Sequence, residues 1–374
     1  MSAHDRGGAG VPLRRVRLAE PQVHPVPRQL HPGGRGAERR GRVPAAAPRG
    51  GDRPSADELR DGERPPRHGG HTGGEPAAHE GIAQGSPGSE ERVIHQLSIV
   101  GLGLLGGSVA KAVREASLAR EIVAVGRRRE ALEPALHEGV VDRITTDLAG
   151  GISGSDFCLL AAPVSTLEAL LPAVWTAAPG GAVITDVGST KGRIVRTADR
   201  LAASRPLRFI GGHPMAGSEQ SGYGIARADL FRGAVVILTP TEKSDADALA
   251  RVRTFWEALG AHVTTLDPTT HDRAVAAVSH LPHLVADALV DAVLRMDPTF
   301  LDVAARGFKD TTRIAASSPG VWREIFQDNR PALVEAVAAF RKSLDHLEGL
   351  ISSGDASAIE QELDRIRQAR ERLR

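Results

Sequence analysis

The chain has 374 residues, of which 41% are hydrophobic and 25% charged, with a formal net charge of +1. This composition is ordinary for a globular protein of two or three domains. One cysteine excludes an internal disulfide, and no apolar stretch approaches the roughly 20 residues that span a bilayer, so we expect a cytoplasmic protein with no membrane partner.

The first 94 residues differ in composition from the rest. They contain 15 Arg and 12 acidic residues but no Lys and no aromatic residue. We predict that this segment is disordered, because it cannot bury enough apolar surface to offset its ordering entropy. The mixed acidic residues and the lack of aromatics argue against a nucleic-acid-binding tail. A misassigned start site in a GC-rich gene is the explanation we favour for this composition.

From residue 95 the sequence alternates between strand-like apolar runs and segments with helical spacing. The predicted strands are HQLSIVGLG, EIVAVG, DFCLLAAPV, GAVITDVGS, LRFIGGHP and GAVVILTP, and helical spacing lies between most of them. Such alternation predicts a mostly parallel α/β sheet covered on both faces. From Asp267 onward the pattern is helical apart from SSPG and SSGD. We therefore predict an α/β domain at 95–266 and an all-helical domain at 267–374.

A glycine fingerprint follows the first predicted strand. In GLGLLGGS, the glycines Gly101, Gly103 and Gly106 have G-x-G-x-x-G spacing, with Leu104 and Leu105 between them. Because this motif follows a strand and opens a helix, it predicts a Rossmann-type dinucleotide-binding domain, with the cofactor pyrophosphate at the helix N-terminus.

The end of the second strand bears on the choice of cofactor. A carboxylate at this position normally binds the ribose 2′-hydroxyl of NAD. Here the sequence is VAVGRRREAL, and its tip is Gly126 followed by Arg127, Arg128 and Arg129, with no Asp or Glu among them. Guanidinium groups suit a 2′-phosphate, so the sequence favours NADP over NAD. The alternative is a solvated basic helix start.

Two polar turns follow later strands. Ser189 and Lys191 lie in TDVGSTKG, and His213 lies in GGHPMAGSEQSG. Ligands of doubly wound sheets lie beyond the carboxyl ends of the strands, so we expect these side chains to face the nicotinamide. The glycine and proline density predicts a shaped loop around His213, whose imidazole can accept a proton. The alternative is a structural histidine bonded to backbone.

The helical region adds further candidates. His271, His280 and His283 lie in HDRAVAAVSHLPH, and Arg313 and Trp322 lie in GFKDTTRIAASSPGVW. No Cys or carboxylate is spaced to complete a zinc site, so we expect no metal. Arg313 suits a bidentate clamp on a carboxylate, although a surface arginine is the alternative.

Five of these motifs resemble those of the prephenate/arogenate dehydrogenase family and occur in the family's order over about residues 95–340. They are GLGLLGGS, DVGSTKG, GGHPMAGSEQSG, HDRAVAAVSHLPH and GFKDTTRIA. The resemblance implies NAD- or NADP-dependent oxidative decarboxylation of prephenate, a small-molecule substrate, to 4-hydroxyphenylpyruvate. It implies that His213 accepts the proton of the substrate 4-hydroxyl and that Ser189 binds the same hydroxyl beside the nicotinamide.

The resemblance also assigns the substrate pocket. It implies that Ser218 and Glu219 belong to a loop that closes over the substrate. His283 matches a substrate-contacting histidine, Arg313 matches the arginine that holds a substrate carboxylate, and Trp322 matches a residue that lines the pocket.

The resemblance implies a homodimer formed by the helical domain, with Leu284, Leu289 and Val293 at the two-fold axis. Arogenate is the alternative substrate. The other hypotheses are a 3-hydroxy-acid dehydrogenase and a dinucleotide-sensing module without turnover. A sensing module would not need Ser189, His213 and Arg313 together.

Overall fold

The structure is a computed structural model that describes residues 94–203, 208–218 and 220–372. The predicted disordered segment lies outside these residues except for Ile94, with which the first strand begins.

In the described residues, eight strands form one sheet in the order β3-β2-β1-β4-β5-β6-β7-β8. Their bounds are β1 Ile94–Val100, β2 Ala119–Val125, β3 Arg143–Thr145, β4 Phe157–Leu160, β5 Val183–Asp186, β6 Arg208–Pro214, β7 Val235–Thr239 and β8 His262–Thr265. The first six strands are parallel, β7 runs antiparallel to β6, and β8 is parallel to β7. The mostly parallel sheet is confirmed. Sequence reasoning missed β3 and β8, which are short edge strands without an apolar run.

Helices cover both faces of this sheet. They are α1 Leu104–Glu115, α2 Glu133–His137, α3 Leu148–Ile152, α4 Val164–Ala177, α5 Gly192–Ala202 and α6 Ala246–Ala258, with short 3-10 turns at Arg129–Ala131 and Tyr223–Ile225. One apolar cluster joins the sheet to α1 and α6, for example through Val109 and Trp256. A second cluster joins the other face to α4 and α5, for example through Leu171 and Ile194.

After β8 the described chain is helical, as predicted. Its elements are α7 Pro268–Val275, a π-helical turn Ala276–His280, α8 Leu281–Met296, a 3-10 turn Pro298–Val303, α9 Arg306–Thr312, a 3-10 turn Arg313–Ala316, α10 Pro319–Asp328, α11 Arg330–Ser353 and α12 Ala356–Glu371. Gly354, with a φ of +68°, ends α11, and Asp355 then caps α12 through the amide of Ala358.

The expectation that no apolar stretch reaches membrane-spanning length is wrong for one helical run. Among the described residues, Pro268–Met296 is long and apolar enough, by length and composition, to cross a bilayer. The run also carries His271, His280 and His283, each buried against the rest of the chain. These imidazoles contact His213, Asn329 and Trp322, so the run packs against other parts of the chain in a way that apolar composition alone does not reveal.

The structure also corrects the prediction of a loop at His213. Gly211 to Pro214 continue β6, in register with Val236 to Thr239 of β7. The glycines are required here by close approach. A Cβ atom at Gly211 would lie 2.4 Å from Thr239 Oγ1, and one at Gly212 would lie 2.7 Å from the Asp186 carbonyl oxygen. Glycine therefore allows the strand to pack closely between its neighbours.

Candidate active site

A cavity of about 680 Å³ lies beyond the carboxyl ends of the parallel strands. On the sheet side, it is bounded by the start of α1, the loops after β4 and β5, and the end of β6. On the other side, it is bounded by the π-helical turn, α8, the 3-10 turn at Arg313–Ala316 and α10. The cavity thus occupies the place where a doubly wound sheet binds its ligand.

Most of the predicted site residues line this cavity. They are Ser189, His213, Ser218, His283, Arg313 and Trp322, together with Gly103, Leu104 and Leu105 of the glycine turn. Glu219 lies outside the described residues. Arg127 and Arg128 are exposed beyond the end of β2 and are not among the residues that line the cavity.

The glycine turn joins β1 to α1 at the cavity. Gly101 has a φ of +98°, and a Cβ atom there would lie 2.3 Å from the carbonyl oxygen of Ala161. A Cβ atom at Gly106 would lie 2.0 Å from the carbonyl oxygen of Gly101, whereas the space beside Gly103 is open. The first-turn amides of α1 lack intrahelical acceptors, and the turn carries no acidic residue. These features fit the pyrophosphate of a dinucleotide.

His213 lies at the end of β6 with 7% of its surface exposed. Its Nδ1 lies 2.9 Å from Nε2 of His271. Burial lowers the pKa of His213 well below its ordinary value, and the nearby Lys191 lowers it further. At neutral pH the imidazole is therefore uncharged and able to accept a proton.

A buried ion pair lies beneath the cavity. Lys191, which we expected in the crevice itself, is fully buried and its Nζ binds Asp186 Oδ2. Asp186 also accepts hydrogen bonds from the amides of Gly188 at 2.8 Å and Gly212 at 3.1 Å. This carboxylate therefore holds the loop after β5 against β6, the strand that carries His213.

Sequence reasoning missed the role of the residues behind His213. Asp272 accepts a hydrogen bond of 2.8 Å from His271 Nδ1 and bonds of 2.8 Å from the amides of Lys191 and Gly192. The His-Asp pair at the start of HDRAVAAVSHLPH was visible in the sequence. Its proximity to His213, 58 positions away from His271, was not.

An aromatic wall forms the helical side of the cavity. His283 stacks on Trp322 with ring centroids 3.5 Å apart, and Phe326 lies behind them. Among the described residues, His280 Nε2 and His283 Nδ1 are buried without a hydrogen-bond partner. Buried polar atoms are rarely left unpaired, so both atoms are candidates to bind a ligand in the cavity. Burial lowers the pKa of His280 to about 4, so its ring is neutral.

The described residues contain no group of three or more His, Cys, Asp or Glu side chains that could hold a metal ion.

Two family models match the chain in succession. "Prephenate dehydrogenase, nucleotide-binding domain" matches residues 109–265, and "Prephenate dehydrogenase, dimerization domain" matches residues 267–365. Prephenate dehydrogenase of Bacillus subtilis (strain 168) is 34% identical over 265 residues, which are 70% of this chain and 71% of the relative.

Two solved structures share the fold at similar identity. Prephenate dehydrogenase from Aquifex aeolicus, in complex with hydroxyphenyl propionate and NAD+, has a TM-score of 0.70 and 35% identity, covering 75% of this chain and 98% of that chain. Synechocystis arogenate dehydrogenase has a TM-score of 0.64 and 32% identity, covering 75% of this chain and 100% of that chain.

Proposed function

The chain belongs to the prephenate dehydrogenase family, and from that membership we propose that it converts prephenate to 4-hydroxyphenylpyruvate in L-tyrosine biosynthesis. It is an NAD(P)-dependent dehydrogenase. The observation that carries the proposal is that His213, Ser189 and the N-terminus of α1 line the same cavity.

The reaction needs a base beside the carbinol group. His213 Nε2 accepts the proton of the 4-hydroxyl, and Ser189 holds that oxygen by a hydrogen bond. When bound, the oxidised nicotinamide supplies the acceptor for the hydride of the carbinol carbon. The ring carboxylate leaves as CO2, its bonding electrons complete the aromatic ring, and His213 returns the proton to the phenolate oxygen. Burial keeps His213 neutral and so ready for the first step.

The opposite wall suits the rest of the substrate. We assign Arg313 to a substrate carboxylate, because guanidinium binds carboxylates bidentately. His283 and Trp322, stacked face to face, give a flat surface for the ring. Ser218 and Glu219 are assigned to the loop that closes over the substrate.

The cofactor preference is proposed from the tip of β2. Arg127 and Arg128 are exposed there, where the ribose of a dinucleotide would extend from the glycine turn. Two guanidinium groups without a carboxylate favour the 2′-phosphate of NADP over the 2′-hydroxyl of NAD.

We further propose the domain division at 95–266 and 267–374, a cytoplasmic location and a homodimer formed by the helical part. The match to a family dimerization domain over residues 267–365 supports the dimer. Exposed apolar side chains in this region also support it, since Met296 is 74% and Val303 81% exposed in the single chain.

Arogenate is the second candidate substrate, favoured by the 32% identity to Synechocystis arogenate dehydrogenase. Arogenate carries an amino acid side chain where prephenate has a pyruvyl group, so the preference between the two substrates depends on the residues that contact this group.

One assay tests substrate and cofactor together. Purified protein is given prephenate or arogenate, each with NAD or NADP, and the absorbance of reduced nicotinamide is followed. We expect the highest kcat/KM with prephenate and NADP. Absence of turnover in all four combinations, with cofactor binding intact, would contradict the proposed reaction.

A further inference from the structure

We propose that His271 and Asp272 are positioning residues that fix the tautomer of His213, with the proton on Nδ1 and the free lone pair on Nε2. This inference rests on the proposed function for its catalytic meaning. The chain of hydrogen bonds behind His213 carries it.

Asp272 determines which atoms donate and which accept in this series of hydrogen bonds. Its carboxylate oxygens lie 2.8 Å from the amide nitrogens of Lys191 and Gly192, and backbone amides can only donate. Burial opposes a charge on Asp272, but the hydrogen bonds from His271 and the two amides outweigh it and hold its pKa below the ordinary value. Asp272 is therefore an ionised acceptor, and His271 Nδ1, at 2.8 Å, must donate to it.

The positions of the ring protons on His271 and His213 follow from this hydrogen bond. The hydrogen bond to Asp272 places a ring proton of His271 on Nδ1, and an imidazole with its one proton there has an acceptor at Nε2. His213 Nδ1 lies 2.9 Å from that Nε2 and must donate to it. A neutral His213 consequently has no proton on its own Nε2, the atom that a general base needs.

The opposite arrangement would disable the base. If His271 carried its proton on Nε2, it would donate to His213 Nδ1, and the proton of His213 would move to Nε2. The ring would still fill its place, but it would present a donor where an acceptor is needed. Asp272 also favours the imidazolium that forms during turnover, because its negative charge lies at the far end of the same chain.

The other charged and titratable groups near His213 do not take the place of the hydrogen bonds from Asp272 through His271. The ammonium of Lys191, from the loop after β5, is held by Asp186. His280, from the π-helical turn, is neutral because burial lowers its pKa to about 4. Its Nδ1 faces the amide nitrogen of Asn329 at 3.2 Å.

The Asp272 carboxylate also joins two parts of the fold. It lies on α7 and caps the start of α5, where a Cβ atom at Gly192 would come within 2.8 Å of Asp272 Oδ2. Asp328 makes a comparable tie from α10, accepting hydrogen bonds from Thr190 Oγ1 at 2.5 Å and Arg193 at 3.1 Å. Its carboxylate is held by Thr190 and Arg193 rather than by a histidine, so Asp328→Asn is a matched control.

The test is Asp272→Asn in the full chain. Its amide can donate to His271 Nδ1, which moves the His271 proton to Nε2 and reverses the tautomer of His213. We expect kcat to fall roughly 10²-fold or more while KM for substrate and cofactor changes less than about threefold. Asp328→Asn should keep kcat within about threefold of the parent.

Nitrogen NMR of isotope-labelled histidine gives a readout that does not depend on turnover. The His213 signal is assigned from its loss in His213→Asn. We expect the Nδ1–H tautomer in the unaltered protein and the Nε2–H tautomer in Asp272→Asn.

An Nε2–H tautomer in the unaltered protein would overturn the proposal, whether or not Asp272→Asn folds. So would an unchanged tautomer in folded Asp272→Asn. If the protein proves inactive on both cyclohexadienes but the NMR result holds, the proposed function fails while the tautomer assignment stands.

Discussion

At the scale of single residues, His213 combines burial with an uncharged ring. Its neighbours give its Nδ1 a partner at 2.9 Å, which leaves the other ring nitrogen for the cavity. A base of this kind does not need to lose a proton before each turnover at neutral pH, because burial already holds it neutral.

Replacement of His213 by Asn should lower kcat by roughly 10²–10⁴, the usual scale for a lost general base. Substrate KM should change little, since Asn keeps a polar group and most of the shape. Steady-state kinetics of the purified variant measure both. His262→Asn, an exposed histidine on β8, is the control. A kcat unchanged from the parent would remove His213 from the chemistry.

The buried histidines also predict how stability depends on pH. His213 and His280 have pKa values below the ordinary 6.5, so below pH 6.5 the unfolded chain binds protons that the folded chain does not. The free energy of unfolding should therefore fall as pH decreases from 6.5, by about 1.4 kcal/mol per pH unit for each such group. For His280 this continues towards about pH 4.

Urea denaturation of the protein without ligands, at several pH values between 7 and 5, measures this slope. His213→Asn should reduce this slope by the contribution of one titrating group, about 1.4 kcal/mol per pH unit. A free energy of unfolding that stays level or rises on acidification would contradict the assignment.

At the scale of elements, the β1–α1 turn has two glycines with different roles. Gly101 is required by the backbone, because its φ is +98° and Ala161 lies close. Gly103 has an ordinary φ of −87° and open space beside it, so the fold by itself does not require a glycine there. The cofactor is what would occupy that space.

Two alanine substitutions separate these roles. Gly101→Ala should destabilise the protein by about 1–3 kcal/mol and also weaken cofactor binding, because a Cβ atom at this positive φ, close to the Ala161 carbonyl oxygen, would strain the turn. Gly103→Ala should leave the free energy of unfolding within about 0.5 kcal/mol but raise the cofactor Kd roughly tenfold or more, because its Cβ obstructs the pyrophosphate.

Thermal unfolding and cofactor titration measure the two effects. Gly139→Ala, also at positive φ but remote from the cavity, should lose stability and keep cofactor affinity. Normal cofactor affinity in Gly103→Ala would show that the pyrophosphate does not lie on this turn.

At the scale of the whole molecule, the helical part leaves an apolar face uncovered. Phe340, Leu344 and Ile351 recur at spacings of four and seven along α11, which puts them on one side of the helix. They are 36%, 52% and 70% exposed in the single chain. A second copy of the chain would cover such a face by two-fold symmetry.

Leu344→Glu should shift the protein from dimer to monomer. Burying a leucine contributes about 1.5–3 kcal/mol, and symmetry removes it twice, so the dimer Kd should rise roughly 10²-fold or more. Light scattering after gel filtration measures the mass. Ser352→Glu, exposed on another side of α11, is the control and should remain dimeric. A dimeric Leu344→Glu would exclude this face from the interface.

The sequence by itself determined the fold class and the family, because both depend on local patterns. Alternating strands and helices, the glycine fingerprint and five ordered motifs are readable without coordinates. The motifs also named His213 and Ser189, and most of the site residues predicted from the motifs line the cavity. Local patterns failed at Gly211 to Pro214, where close approach to β5 and β7 makes a strand out of residues that usually form loops.

Only the tertiary structure decided what surrounds His213. Lys191 turned inward to Asp186, although its position after a strand suggested the cavity. Asp272 reaches the amide of Lys191 across 81 positions, and His271 reaches His213 across 58. Hydrogen bonds between distant segments leave no spacing pattern in the chain, and the proton on His213 depends on such bonds.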